Sequence, residues 1–313
     1  MIKFYNFYGG NMRSVSVFIG LVLIGLTGLG CSSGDVEPVE PVEPEVEAPP
    51  HAALADSLTF HASFDAGTDA DFGSGDRTIY SAPSYDERDD QSTPGISMEA
   101  EIVTGAGRFG DALRFNETNK QALFYRATDN VAYSTSNMSG TVSFWLNVDP
   151  AVEIEPVYCD PIQITDVDFN DAGLWVDFTN ENPKQFRLGI FGDLEVWNPD
   201  DIAINDNPDF LNRLIPVDDP PFASGQWTHV AFTYSGLNSA DGATIHFYLN
   251  GENQGTREGI AESFTWDVER AVIKLGINYA GLFDEVAIFD RALSDSEIAE
   301  LYGLDMGASA LHE

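Results

Sequence analysis

The sequence predicts an all-β chain: a two-sheet antiparallel sandwich with one short C-terminal helix. Three observations carry this. Short runs alternating apolar and polar residues recur from Leu58 onward, which is the period of a strand with one buried face. Asn250-Gly251 lies between two such runs, and both residue types accept the positive φ of a tight hairpin turn. Stretches with helical period are scarce.

The chain has 313 residues, of which 43% are hydrophobic and 12% aromatic, enough for one large packed domain. Lys and Arg number 15 against 51 Asp and Glu, a net charge of -36. That surface repels phosphate backbones, so nucleic acid is excluded as a partner class. Two cysteines cannot form a disulfide framework.

Residues 1–30 read as an export signal. Lys3 and Arg13 precede an apolar run from Val15 to Leu29. Gly20, Gly25 and Gly28 interrupt the run, which is too short for a good membrane span. Met12 is an alternative start. Leu29-Gly30-Cys31-Ser32 follows directly and resembles the lipobox of bacterial lipoproteins. The resemblance implies lipidation of Cys31, a contact with the membrane through that anchor only, and placement in the bacterial cell envelope, at the outer membrane or cell surface. Residues 31–54 form an acidic Pro-rich tether. Its Val-Glu-Pro repeat denies backbone hydrogen bonds, and its like charges extend it. At about 3.1 Å per residue, residues 35–50 span on the order of 50 Å.

Residues 55–305 read as one domain, with 306–313 as a tail. Leu58, Phe60, Ala62 and Phe64 share one strand face. Val142, Phe144, Leu146 and Val148 share another, as do Val230, Phe232 and Tyr234, and Ile245, Phe247 and Leu249. Phe186–Phe191 and Val272–Leu275 are further strands. Ser294-Asp295-Ser296-Glu297 has capping-box spacing, with Ile298 and Leu301 as the apolar stripe and Gly303 as the stop.

Four stretches together look familiar: Gly107-Arg108-Phe109-Gly110-Asp111-Ala112-Leu113-Arg114-Phe115, Gly140 to Trp145, Trp227 to Gly251, and Gly281 to Ser294 with its Phe283-Asp284-Glu285-Val286 core. They resemble the laminin-G-like, concanavalin A-like jelly-roll domains of bacterial secreted proteins, in order and spacing, from about residue 57 to 303. The resemblance implies a jelly roll whose first and last strands lie side by side, with Asn250-Gly251 turning an inner hairpin. It leaves function open, since lectins, adhesion domains and glycosidases share the fold.

A glycosidase of this fold needs two carboxylates on one strand face. No such run is present, and Asp284-Glu285, being adjacent, is expected to point to opposite faces. Hard cations want clustered oxygens, and the Gly-rich loop from Asp65 to Asp76 offers Asp65, Asp69, Asp71 and Asp76. The resemblance implies a structural calcium beside the first and last strands, held by Asp65 or its neighbours with Asp284. The run Asp166 to Asp171 has oxygens at positions 1, 3 and 5 as in an EF-hand loop, but Asp171 replaces the glycine and no helices flank it. A sugar site would pair aromatic platforms with polar side chains. Trp175 and Trp197 are candidate platforms, with Trp266 and Tyr279 behind them. Asp160, Gln163, Asn170 and Asp171 are candidate partners, and for each aromatic a core role is the competing reading. His61, His229 and His246 read as packing residues, and Cys159 as a buried small hydrophobe. The segment Asn198–Asp219 reads as a long exposed loop. The leading expectation is non-catalytic binding of an envelope or extracellular glycan, supported by calcium. The alternatives are a structural or adhesive protein that binds another envelope protein and, more weakly, a glycoside hydrolase or lyase.

Overall fold

The computed structural model describes residues 51–312. Its strands in chain order are β1 (Leu58–Ala62), β2 (Phe72–Gly73), β3 (Tyr80–Ala82), β4 (Thr93–Pro94), β5 (Ala100–Val103), β6 (Ala112–Phe115), β7 (Ala122–Arg126), β8 (Met138–Asn147), β9 (Cys159–Thr165), β10 (Gly173–Phe178), β11 (Phe186–Phe191), β12 (Leu214–Val217), β13 (Thr228–Leu237), β14 (Ala243–Leu249), β15 (Glu252–Ile260), β16 (Val272–Ile277) and β17 (Gly281–Phe289). The expected strands all form, but the β1–β17 register shifts between Leu58 and Phe60, so Leu58 packs on the outer face of its sheet while Phe60, Ala62 and Phe64 face the core. One sheet runs β15-β14-β13-β8-β17-β1-β2, with β6 also on β17 and β5 on β6. The other runs β12-β11-β10-β9-β16-β7-β3-β4. Every pairing is antiparallel, and β1 closes on β17 with Phe60 opposite Ile288, as the jelly-roll resemblance implies.

The core lies between the sheets. Phe60, Phe144, Phe232 and Phe283 face Ile162, Leu174, Phe178 and Ile273, all of them buried. Truncating one such residue to alanine costs about 2–5 kcal/mol. Asn250 (φ 51°) and Gly251 (φ 78°) make the tight turn, but the hairpin is β14–β15, at the sheet's edge rather than inside it.

The C-terminal helix Asp295–Tyr302 forms as the capping box predicts: Ser294 Oγ accepts from the Glu297 amide, and Glu297 Oε2 accepts from the Ser294 amide. Ile298 and Leu301 pack with Leu58, Phe289 and Tyr248 on the outer face of the first sheet. Leu54 and Leu311 join that cluster, so chain on both sides of residues 55–305 is packed. Among the described residues no helix is long and apolar enough to cross a membrane. Cys31 lies outside the described residues.

The strand registers define two ends. Asn147, Leu282 and Phe115 meet at one end, and Ala122 and Ile277 lie on the same side of the second sheet. Arg126 and Val272 pair at the opposite end.

Candidate functional site

Three polar regions carry chemistry. The first is a carboxylate corner where β1 leaves the sheet beside β17. Asp65 Oδ1 accepts the Asp111 amide at 2.6 Å. Gly110, at φ 74°, has no room for a Cβ, which would fall 2.1 Å from that oxygen. Asp284 is fully buried; its Oδ2 accepts the Phe109 amide at 3.0 Å, and its Oδ1 has no partner among the described residues. Burial pushes the Asp284 carboxyl up to about 8, with repulsion from Glu285 and Asp65 adding to it. The Asp65 carboxyl is also raised, first by desolvation and then by its acidic neighbours Glu285, Asp111 and Asp71, against the Asp111 hydrogen bond.

Glu285 departs from the sequence expectation. It adopts φ 56°, and the β17–β8 register shifts between Asp284 and Ala287. This bulge inserts one residue and cancels the alternation. Asp284 and Glu285 therefore both reach the turn around Phe109 instead of opposite faces: Gly307, packed on Glu285 Oε2, lies against the Phe109 ring. Glu285 Oε2 accepts the Ala308 amide at 2.5 Å and lies 3.2 Å from His61 Nε2, while its Oε1 has no partner among the described residues. His61 and His229 are buried, in line with their packing role.

The remaining acids of the Gly-rich loop do not gather on Asp284. Asp69 Oδ1 accepts the Ile79 amide, and Asp71 Oδ2 accepts the Ser63 amide and hydroxyl. Asp76 accepts from the Thr78 amide and the Tyr80 hydroxyl; partial burial opposes ionisation there, but these bonds outweigh it and hold the carboxyl below its usual range. Each carboxylate pins its own turn. Among the described residues no three His, Cys, Asp or Glu side chains surround one metal-sized point.

The second region is the outer face of the second sheet, where the candidate sugar-binding residues fall. Register places Lys274, Gln163 and Trp175 in one row across β16, β9 and β10. Lys274 Nζ donates to Gln163 Oε1 at 2.7 Å, and Gln163 Nε2 donates to Asp160 Oδ2 at 3.1 Å. The Tyr85 ring lies 4.9 Å from Lys274 Nζ. Burial lowers the Lys274 ammonium to about 8, with Arg88 adding repulsion. Burial, and then Asp177, raise the Asp160 carboxyl well above its usual range. Beside this row Arg187 grips Asp177 with two bonds, one of 2.8 Å from Nε.

The two tryptophans are core residues here, not platforms. Trp175 is 1% exposed, stacks on Phe191 at 5.7 Å, and donates from Nε1 to the Phe169 carbonyl. Gly189, opposite it on β11, leaves the space its ring fills: a Cβ there would come within 2.2 Å of the indole. Trp197 is 4% exposed and donates to the Asn170 carbonyl. Asp171 Oδ1 accepts the Leu194 amide. Trp266 and Tyr279 are buried too. For Trp175 and Trp197 the reason is a segment read as an exposed loop. Residues 198–219 contain a helix, Pro208–Asn212, capped by Asn207, and β12. Phe210 of that helix lies against Trp175, Phe191 and Trp197 and seals them. Gln163 is likewise buried, and Asp160, Asn170 and Asp171 are half-buried.

The third region carries none of the predicted ligand residues. A cleft of about 920 Å³ opens at the strand ends, between β6, the turn 116–120, Asn147, the 153–155 loop and the start of β17. Phe115, Ala280 and Leu282 give it an apolar floor. Glu99 Oε2 accepts the Lys120 and Gln121 amides and so fixes the turn. Asn147 Oδ1 accepts the Gly225 amide, and Glu153 Oε2 the Asp149 amide. Lys120 Nζ donates to Asn278 at 3.3 Å and lies 3.9 Å from Glu155. The side chain of Arg114, a half-buried residue on β6, makes no hydrogen bond, ion pair or ring contact among the described residues. The only sequence signal for this cleft was the polar run Asn116-Glu117-Thr118-Asn119-Lys120 after the β6 motif.

Residues 120–299 match the concanavalin A-like lectin/glucanases superfamily. No curated protein is significantly similar to the chain. Among solved structures, the binding domain of botulinum neurotoxin DC, in complex with SialylT, aligns with a TM-score of 0.52 at 12% identity, covering 83% of this chain and 52% of that one. The same toxin domain in complex with rat synaptotagmin II gives 0.52 at 14%, with equal coverage. Domain 4 of a Geobacillus stearothermophilus arabinanase, in complex with arabinotriose, gives 0.46 at 19%, covering 78% of this chain and 97% of that domain. The chain thus spans about half the length of the toxin binding domains.

Proposed function

Because the chain belongs to the concanavalin A-like lectin/glucanases superfamily, we propose that it is a non-catalytic glycan-binding protein whose site is the cleft at the strand ends. One observation carries this reading. The cleft is a concavity of about 920 Å³ at which polar side chains remain open to solvent, whereas Trp175, Trp197 and Gln163 of the second sheet's outer face are buried. Asn116, Thr118 and Lys120 stand at its wall as hydroxyl partners over the floor of Leu282 and Ala280. Two of the four carboxylates that line the cleft, Glu99 and Glu153, are tied to backbone amides, which supports binding without cleavage.

Glycan-array screening of the full chain tests this. Saturable binding is expected, lost in Leu282→Trp, which fills the cleft floor, and retained in Trp175→Phe. Labelled polysaccharide should bind without turnover. Loss of binding in Trp175→Phe but not in Leu282→Trp overturns the reading.

Calcium belongs to the same proposal. The carboxylate corner fits a hard cation in one respect, the unpartnered buried Asp284 Oδ1 beside Asp65. Asp284 and Asp65 would hold the ion, with main-chain carbonyls and water completing its shell. Bound there, the ion would neutralise the corner and hold the Phe109 turn. At 100 times its dissociation constant calcium would add about 2.7 kcal/mol of stability. A melt unchanged between calcium and chelator removes it. The lipobox resemblance at Cys31 supports an envelope-anchored protein, and mass spectrometry of the mature N-terminus tests that.

A further inference from the structure

Resting on the cleft reading above, we infer that the cleft takes a sugar residue bearing a single carboxylate, held by the guanidinium of Arg114. The charge balance makes that side chain distinctive. The sequence holds 51 acids against 15 cations, so a basic group can find an acidic or carbonyl partner almost anywhere. The other Lys and Arg side chains of the described residues do so, or stack on a ring: Arg77, Arg88, Lys120, Lys184 and Lys274 donate to oxygen, Arg187, Arg213, Arg257, Arg270 and Arg291 donate to carboxylates or carbonyls, and Arg108 and Arg126 lie over aromatic rings. Arg114 alone makes no such contact within residues 51–312.

Its neighbours do not satisfy it. Glu101 stands directly across β5 but forms no ion pair with it, and Glu99 is committed to two backbone amides. Arg114 is half-buried as a residue and lines the cleft. A planar five-donor fork is matched by one carboxylate in two parallel bonds. The rim then limits the class of ligand. Glu117, Glu153 and Glu155 are exposed around the opening. They repel a chain carrying a charge on every residue while admitting one acidic residue at the floor. A glycan with an isolated uronic acid meets both conditions.

The test is calorimetric titration of the full chain with matched trisaccharides ending in glucuronate or galacturonate, and with their carboxyl-reduced neutral counterparts. The acidic member is expected to bind about tenfold or more tightly, since hydrogen bonds to a charged group contribute more than neutral ones. Arg114→Gln should erase that preference with an unchanged melting temperature, and Arg114→Lys should keep part of it. Equal affinities within each pair overturn the carboxylate inference and leave the cleft reading standing. A preference that survives Arg114→Gln overturns the assignment to Arg114. Binding of neither member overturns the carboxylate inference, and binding indifferent to Leu282→Trp overturns both readings. A lowered melting temperature in Arg114→Gln with the preference intact makes Arg114 a structural partner of Glu101 and overturns the inference as well.

Discussion

The outer face of the second sheet and the cleft at the strand ends are built from similar residue types to opposite ends. On the sheet face Lys274, Gln163, Asp160, Asp177 and Arg187 satisfy one another, and Trp175 and Trp197 are covered by Phe210. In the cleft, the Arg114 side chain has no partner among the described residues and Lys120 only long ones. Aromatic and amide side chains become binding groups only where the fold leaves them unsatisfied. Burying a polar group without a partner is costly, so a completed network reads as architecture and an incomplete one as a site.

That contrast breaks most readily on the buried side. Trp175→Ala is expected to cost about 3–5 kcal/mol, read from chemical denaturation, because it empties the stack between Phe191 and Phe210. A cost under 1 kcal/mol would mean that the face is loosely covered and available to ligand. Arg187→Ala should cost a similar amount, about 3–5 kcal/mol, by stranding the buried Asp177 carboxylate.

The carboxylate corner gives a pH signature. With the folded Asp284 carboxyl at about 8 and the unfolded one near 3.8, the folded state holds an extra proton between those values. Stability without calcium should therefore fall as pH rises from about 4 to 8, by on the order of 1 kcal/mol per unit from this group. Asp284→Asn should flatten that slope and remove any calcium response, seen in melts across the range. At the helix cap the sign is opposite. Arg291 holds Glu297 at about 2, so its contribution is present above pH 4.5 and lost as pH falls toward 2. Glu297→Gln should cost about 1 kcal/mol at neutral pH. Smallest of all, Arg114→Ala should change stability by less than about 0.5 kcal/mol while lowering glycan affinity, which is the reverse of the Trp175 pattern.

The sheets were legible in the sequence because period-two runs such as Val142 to Val148 have one physical meaning, and the Ser294–Glu297 box likewise. The sugar platforms were not. Whether Trp175 is platform or core depends on Phe210, 35 positions away, on a segment whose Asn, Asp and Pro content resembled a loop. The pairing of Asp284 with Glu285 was hidden for another reason: a bulge at a non-glycine residue leaves no local signal. Arg114 could not be singled out at all, since having no partner is a property of the folded neighbourhood.

The central claim is that ligand enters at the strand ends and not on the sheet face. Hydrogen exchange on the full chain, with and without a saturating oligosaccharide from the array, tests it most directly. Added protection is expected at residues 114–120, 147–155 and 280–282, with residues 160–175 and 194–198 unchanged. Protection confined to 160–175 and 194–198 would contradict the account and return the site to the two tryptophans.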